Sequence, residues 1–221
     1  MKQFRIVSFL MLSVILAGQL QGQQTLSEGT IYFDVTVQTG ERNPQMADVF
    51  DGAKAILSTR GPLSRSEMRS ALGQTVTIYD HRAGTGVVLR EYGPQRLLIR
   101  MNREHWKHKN SKFEGIRFVF GTDTKVIAGY PCEKAEAILR DSTRFTVYFT
   151  RKLLPENAAY DPQFGGLPGT ALEYEATQGN LRIRYEATRV SFDPVPMQRF
   201  DAPKSGYREL SYEESIKKPG K

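Results

Sequence analysis

The 221-residue chain is poor in the residues that most often carry chemistry: it has one cysteine, Cys132, one tryptophan, Trp106, and three histidines, His81, His105 and His108. A lone cysteine excludes an intramolecular disulfide, so the core must hold by packing and hydrogen bonding. His105 and His108 form a His-x-x-His pair, but two imidazoles are not a metal shell, and neither a second cysteine nor an acidic cluster accompanies them. There is no Gly-x-Ser-x-Gly, no His-Glu-x-x-His, no phosphate loop ending in Lys-Ser/Thr and no dinucleotide-binding glycine pattern. The sequence therefore offers no catalytic residue, no cofactor site and no metal site. Cys132 follows Gly129-Tyr130-Pro131 at the start of a strand, where a small buried hydrophobe is the plainer reading than a nucleophile.

Long apolar runs are also scarce. Ile6 to Ala17 is one, and it is too short to span a bilayer. Lys2 and Arg5 precede it, and small and polar residues follow through Gly22, which is the three-part pattern of an export signal. Cleavage is expected between Gly18 and Gln23. No cysteine lies near the end of the run, so lipid attachment at a mature N-terminus is not expected. Losing residues 1–22 removes Lys2 and Arg5 and no acidic side chain, which lowers the net charge from +7 to +5. That excess fits a basic surface on a soluble exported protein, with anionic membrane contact as the alternative. About 200 residues remain, enough for one domain with a sizeable core. The expected organisation is a signal over 1–22, one β-rich domain over 23–210 and a flexible tail over 211–221.

What is present in quantity is alternation. Gln23 to Gly29 reads as a flexible lead, and Ile31, Phe33, Val35 and Val37 then alternate with polar neighbours as in a half-buried strand. Asn43-Pro44, with Met46, Val49 and Phe50 on one face, predicts a short amphipathic helix. From Gln74 strands and turns succeed one another to Ala187, interrupted by a basic stretch from Asn102 to Lys112 and a long loop from Lys152 to Phe164. The basic stretch around Trp106 reads as a solvated loop. Its Trp flanked by Lys and His would also suit a membrane interface, and the export signal argues against nucleic acid. No fixed period points to a solenoid or propeller. One apolar and one polar face per strand predict a strongly curved antiparallel sheet whose apolar face is closed by curvature, by helices or by a ligand.

Three glycines and a proline in Phe164-Gly165-Gly166-Leu167-Pro168-Gly169 force a sharp turn before the strand Ala171 to Ala176. With Leu172-Glu173-Tyr174 after it, and Ile127-Ala128-Gly129-Tyr130-Pro131-Cys132-Glu133-Lys134-Ala135 before it, this turn resembles the GLPGLI-type exported proteins of Bacteroidota, within the wider group sharing the fold of the lipoprotein carriers LolA and LolB. Thr170-Ala171 stands where that family has Leu-Ile. The resemblance rests on Gly129, Tyr130, Cys132, Gly166, Leu167, Pro168 and Gly169 as structural positions. It implies an incomplete antiparallel β-barrel with one or two short helices on its concave side, and an apolar concavity able to hold acyl chains.

Alternation without catalytic groups points to an exported, non-enzymatic binder of an amphipathic ligand, such as a lipid or the acyl chains of a lipoprotein. A self-filled envelope protein acting through its surface is the alternative, and an envelope hydrolase would need distant Asp, Glu, His or Cys side chains to converge in one cleft. The state of the inner face, open or plugged, separates the first two.

Overall fold

The computed structural model describes residues 22–38, 52–178 and 181–217. The apolar run of the signal, the helix expected from Asn43 and the turn at 179–180 lie outside the described residues.

Strands β1 (Gln24–Leu26), β2 (Glu28–Gln38), β3 (Lys54–Arg60), β4 (Leu63–Ser70), β5 (Gly73–Asp80), β6 (Thr85–Tyr92) and β7 (Gln95–Met101) lead to helix α1 (Arg103–Lys109). Then come β8 (Arg117–Ile127), β9 (Tyr130–Ile138), β10 (Arg144–Thr150), β11 (Leu153–Pro155), β12 (Thr170–Gln178), β13 (Leu181–Ser191), β14 (Arg208–Leu210) and α2 (Tyr212–Ile216). Twelve of the strands form one open sheet in the order β14-β7-β6-β5-β4-β3-β2-β13-β12-β10-β9-β8, while β1 and β11 make a separate pair. All neighbours in the large sheet are antiparallel except β14 on β7. The expected curved, mainly antiparallel sheet with short helices on its inner side is what forms. No helix among the described residues is long and apolar enough to cross a membrane.

Register decides which side chains share a face. Phe33 lies opposite Ala55, Ala55 opposite Met68 and Met68 opposite Thr75, while Tyr174 lies opposite Tyr185 and Tyr185 opposite Val35. These define the inner face, because side chains two residues apart point the same way. The outer face differs along the sheet. On β10, β12 and β13 it is charged, with Glu173 held by Lys125 at 2.5 Å and by Arg184 at 2.8 Å. On β5 to β7 it is apolar, and Val195 and Phe200 of the segment after β13 cover Val76, Ile78, Val87, Leu89 and Leu98. That segment is a strap. The Arg60 guanidinium donates to the Val195 carbonyl, the Glu28 carboxylate accepts from the Val195 N–H, and Arg65 donates to the Arg199 carbonyl.

Glu67 pins the strap. Its side chain is 1% exposed and is bridged by Arg65, Arg69 and Arg199. Burial pushes its carboxyl up, but the guanidiniums more than offset this and hold it below the usual glutamate value. Beyond the strap, β14 pairs with β7 at the sheet edge and α2 turns back onto the inner face.

Three segments expected to be irregular are ordered, each for a local reason. The lead begins with β1, because Leu26 is buried and the Gln24 N–H donates to the Lys152 carbonyl at 2.8 Å. The basic stretch from Asn102 forms α1, because the Asn102 side chain caps the His105 N–H in a capping box and Lys107, His108 and Lys109 sit at the favourable C-terminal end. The tail expected from 211 starts with α2, capped by Ser211 and Glu214, with Tyr212 buried.

The glycine turn is tied to the sheet by contact as well as by torsion. Gly166 takes a φ of +105°, and a Cβ on Gly169 would stand 2.1 Å from the Thr150 carbonyl oxygen. That oxygen belongs to the β10 backbone, so a side chain here would force β10 and β12 apart. Gly165, with a φ of −59° and a would-be Cβ 3.4 Å from its nearest neighbour, has no such constraint.

Two outcomes follow for stability. Gly169→Ala should lower the melting temperature by several degrees, at about 1–3 kcal/mol for overpacking, with Gly165→Ala near wild type. Equal melting curves would contradict the close-approach account. Glu67→Gln should cost about 3 kcal/mol at neutral pH, because three guanidiniums lose their counter-charge. Since the Glu67 pKa is depressed, its contribution is full above the ordinary glutamate pKa and is lost as pH falls below it, so the two chemical-denaturation curves should converge in acid.

Candidate functional site

The two ends of the inner face are filled by the chain itself. Over β5 to β7, Trp106 of α1 stacks on Tyr79 with centroids 4.0 Å apart, and Tyr212 of α2 completes a cluster with Val88, Ile99 and Met101. His105 stacks on Tyr212 at 4.4 Å, and His108 Nδ1 lies 2.9 Å from the Tyr212 hydroxyl. The two histidines thus clasp α2. Among the described residues no group of three or more His, Cys, Asp or Glu is placed to hold a metal. Trp106, read as a possible membrane anchor, is turned inward instead. His81 meets Ser64 Oγ at 2.9 Å, and burial lowers its pKa.

Over β9, β10 and β12 the filling comes from residues 153–167. Phe164 packs with Ala135, Val147, Phe149 and Ala171, and its ring meets Tyr174 edge-on at 4.8 Å. Leu167 joins the same cluster, so the glycine turn presses a hydrophobic residue onto the sheet. Ala128-Gly129 make the two-residue turn between β8 and β9, both with positive φ. Tyr130 packs on the central core, and its carbonyl accepts from Cys132 Sγ at 3.4 Å. Cys132 is 1% exposed, and desolvation raises its thiol pKa to about 11, so it holds its proton and acts as packing.

Between the two plugs the described residues leave the inner face open. A cavity of about 410 Å³ lies over β2 to β5, β12 and β13, reaching the loop after α1 and the segment from Tyr160 to Phe164. Its floor is made of small or slim side chains, Ala55, Ser66, Thr75, Thr77 and Ala176, with Leu57 and Met68. Its wall is aromatic. Tyr174 and Tyr185 stack at 4.7 Å with ring planes 8° apart, Phe33 meets Tyr174 edge-on at 5.9 Å, and Phe113 and Tyr92 stand at the rim. The Tyr185 hydroxyl donates to Met68 Sδ at 3.6 Å.

Two charged side chains among the described lining residues face this space, Lys109 and Asp161. The Glu67 side chain, by strand parity, points to the outer face. Asp161 Oδ1 accepts from the Gln163 N–H and Oδ2 from the Gln163 side-chain amide, each at 3.1 Å. Protein surrounds Asp161 while water reaches it through the cavity, and this desolvation raises its pKa to about 6 against the pull of the Gln163 bonds and of Lys109 and Lys112. Lys109, open to water at the mouth, is likewise walled by protein, and desolvation lowers its pKa while Asp161 opposes the shift. The burial of the ring wall raises the Tyr174 and Tyr185 pKa values, so both stay neutral hydroxyls.

None of Lys109, Asp161, Tyr174 or Tyr185 stands out in the sequence as a site residue. The available signals were the Asp161-Pro162 cap-and-start spacing and the two tyrosines at inward positions of the last hairpin. The structural positions Gly129, Tyr130, Cys132, Gly166, Leu167, Pro168 and Gly169 lie outside the cavity lining.

No family model matches the chain, and no curated protein does. Among solved structures, it is similar to PNGF-II with a TM-score of 0.45 and 15% identity, over 86% of this chain and 33% of that one. It is similar to MucB in complex with MucA(peri) with a TM-score of 0.40 and 12% identity, over 80% and 54% of the two chains. A beta-barrel-like protein of the DUF1849 type from Brucella abortus gives a TM-score of 0.40 and 10% identity, over 77% and 100%. The chain thus spans about a third of PNGF-II and about half of MucB. The functional reading rests on the cavity.

The sign of the Asp161 shift is testable. A carboxyl whose folded pKa is raised favours the fold most in acid, and that advantage is lost as pH rises from the ordinary aspartate value to about 6. Asp161→Asn should therefore be more stable than wild type at neutral pH and equal to it near about pH 4. A constant gap across that range in denaturant titrations would refute the burial account.

Proposed function

We propose that this chain is an exported cell-envelope protein that binds one small amphipathic ligand in the cavity of its inner face. The observation that carries the reading is the space that the described residues leave between two self-made plugs, with a floor of small side chains, an aromatic wall and a few polar groups at the mouth. Small-ligand sites have this composition and volumes of about 300–1,000 Å³, and the 410 Å³ here falls at the lower end. That size favours a single acyl chain or a compact amphiphile over the several chains of a lipoprotein. Each buried methylene would contribute about 0.8 kcal/mol. The charged start, short apolar run and small residues read over 1–22 as an export signal are what support the envelope location.

The reading needs no catalytic group. The carboxyl of Asp161 is occupied by Gln163, Cys132 is sealed in the core, and the histidines are committed to α2 and Ser64. An organic extract of the protein purified from its host, examined by mass spectrometry, should contain a co-purifying lipid-like compound. A fluorescent fatty acid should bind the delipidated protein, and Ala176→Trp, which fills the floor, should weaken that binding at least about tenfold with the melting temperature little changed. An extract free of such compounds, together with no fatty-acid binding, would favour the self-filled alternative, in which the surface is the working part.

A further inference from the structure

We infer that the cavity selects ligands bearing a single anionic head group, held by the Lys109 ammonium at the mouth, with the apolar body laid against Tyr174, Tyr185 and Phe33. This deepens the binding reading above and rests on it. Three observations converge. Lys109 is the one cation among the described residues that line the cavity, and none of the carboxylates among them forms a salt bridge with it; its Nζ lies 6.0 Å from the Trp106 ring centroid, and Asp161 attracts it from beyond contact. The other cavity-facing charge, Asp161, has both carboxyl oxygens engaged by Gln163 and so does not tie down the ammonium. Neutral donors stand nearby, the Tyr174 hydroxyl and the second amide hydrogen of Asn110, whose first is given to the Trp106 carbonyl, and these can complete the shell of an anion. With no carboxylate in contact with it among the described residues, and Asp161 acting on it only from a distance, the Lys109 ammonium at the cavity mouth can take the anionic head of an amphiphile whose tail is buried.

The wall also gives the site a pH sense. Asp161 is faced by Tyr160 from its own segment, Tyr174 and Tyr185 from β12 and β13, Lys109 from α1 and Lys112 from the turn after it. Acid neutralises Asp161 and leaves Lys109 charged, so the two lining charges that cancel at neutral pH sum to a net positive charge below about 6. An anionic ligand is then held more tightly in acid and released more readily as pH rises.

Two dyes with one body and different heads test this: anilinonaphthalene sulfonate, permanently anionic, and phenylnaphthylamine, its uncharged counterpart. With the full chain, expressed with its leader and purified from the envelope, the sulfonate should bind about tenfold tighter than the neutral dye in acid, as expected for one charge-assisted contact. Lys109→Met should abolish that preference while neutral-dye binding persists, which also reports that the variant is folded; Lys112→Met should keep it. Asp161→Asn should hold the acid affinity at about pH 8, where wild type weakens. Equal binding of the two dyes to wild type, or a preference that survives Lys109→Met, would overturn the head-group assignment and leave the cavity reading standing. A pH dependence that persists in Asp161→Asn would overturn the role given to that carboxyl. Failure of both dyes to bind would overturn both readings.

Discussion

An open twelve-stranded sheet has two faces and few residues left over with which to cover them, and that shortage shapes everything else in this molecule. The chain economises by dividing the outer face. Across β10, β12 and β13 it is left to water and built from charges, so it needs no cover. Across β5 to β7 it is apolar, and a single irregular strap closes it with Val195 and Phe200. An irregular segment cannot satisfy its own backbone groups, so the strap is fastened by side chains from the strands beneath, Arg60, Arg65 and Glu28. Glu67 sits where those fastenings meet, and its burial is tolerable because three guanidiniums share its charge.

Covering the inner face exhausts the rest. Helices α1 and α2 fill one end, and residues 153–167 fill the other, each delivering large rings, Trp106 and Tyr212 on one side, Tyr160 and Phe164 on the other. The described residues offer no third element for the middle. Two carboxylates, the buried Glu67 and the half-buried Asp161, illustrate how differently the two faces treat charge. Glu67, compensated by cations in contact, has its pKa pulled down; Asp161, enclosed beside the cavity with only backbone and amide donors in contact, has its pKa pushed up. The first is structural and acid-sensitive, and the second resists ionisation because the protein around it strips away part of its water.

The sheet was legible because period-two alternation is a local signal repeated on almost every strand. Phe33 and Val35, or Phe145, Val147 and Phe149, announce their face without knowledge of any partner. The covers were not legible. Asn102 to Lys112 has no apolar stripe, and α1 forms there because Asn102 caps it and because Trp106 finds Tyr79 some 27 positions earlier in the chain. The strap lacks periodicity altogether, and α2 is held by histidines a hundred residues away. The candidate site was the least legible part, since an empty volume is defined by side chains from β2, β3, β4, β5, β12 and β13 at once, and no single segment records it. Even the resemblance, carried by Gly166 to Gly169 and Gly129 to Cys132, marks positions that build the fold and leaves the lining unmarked.

The small residues of the floor decide between an interior that is merely incomplete and one that is kept open. Where the chain fills its inner face it does so with the largest side chains it has, and packing there reaches the closeness of ring-on-ring contact at 4.0 Å. At the centre, positions pointing into the same space hold Ala55, Ser66, Thr75, Thr77 and Ala176. One larger side chain at Thr77 or Ala176 would close much of the gap, and a sheet under pressure only to bury its inner face would gain stability from it. Retaining small groups there, beneath two stacked tyrosines and beside a lysine with no carboxylate in contact among the described lining residues, forgoes that stability where a ligand would supply the missing contacts.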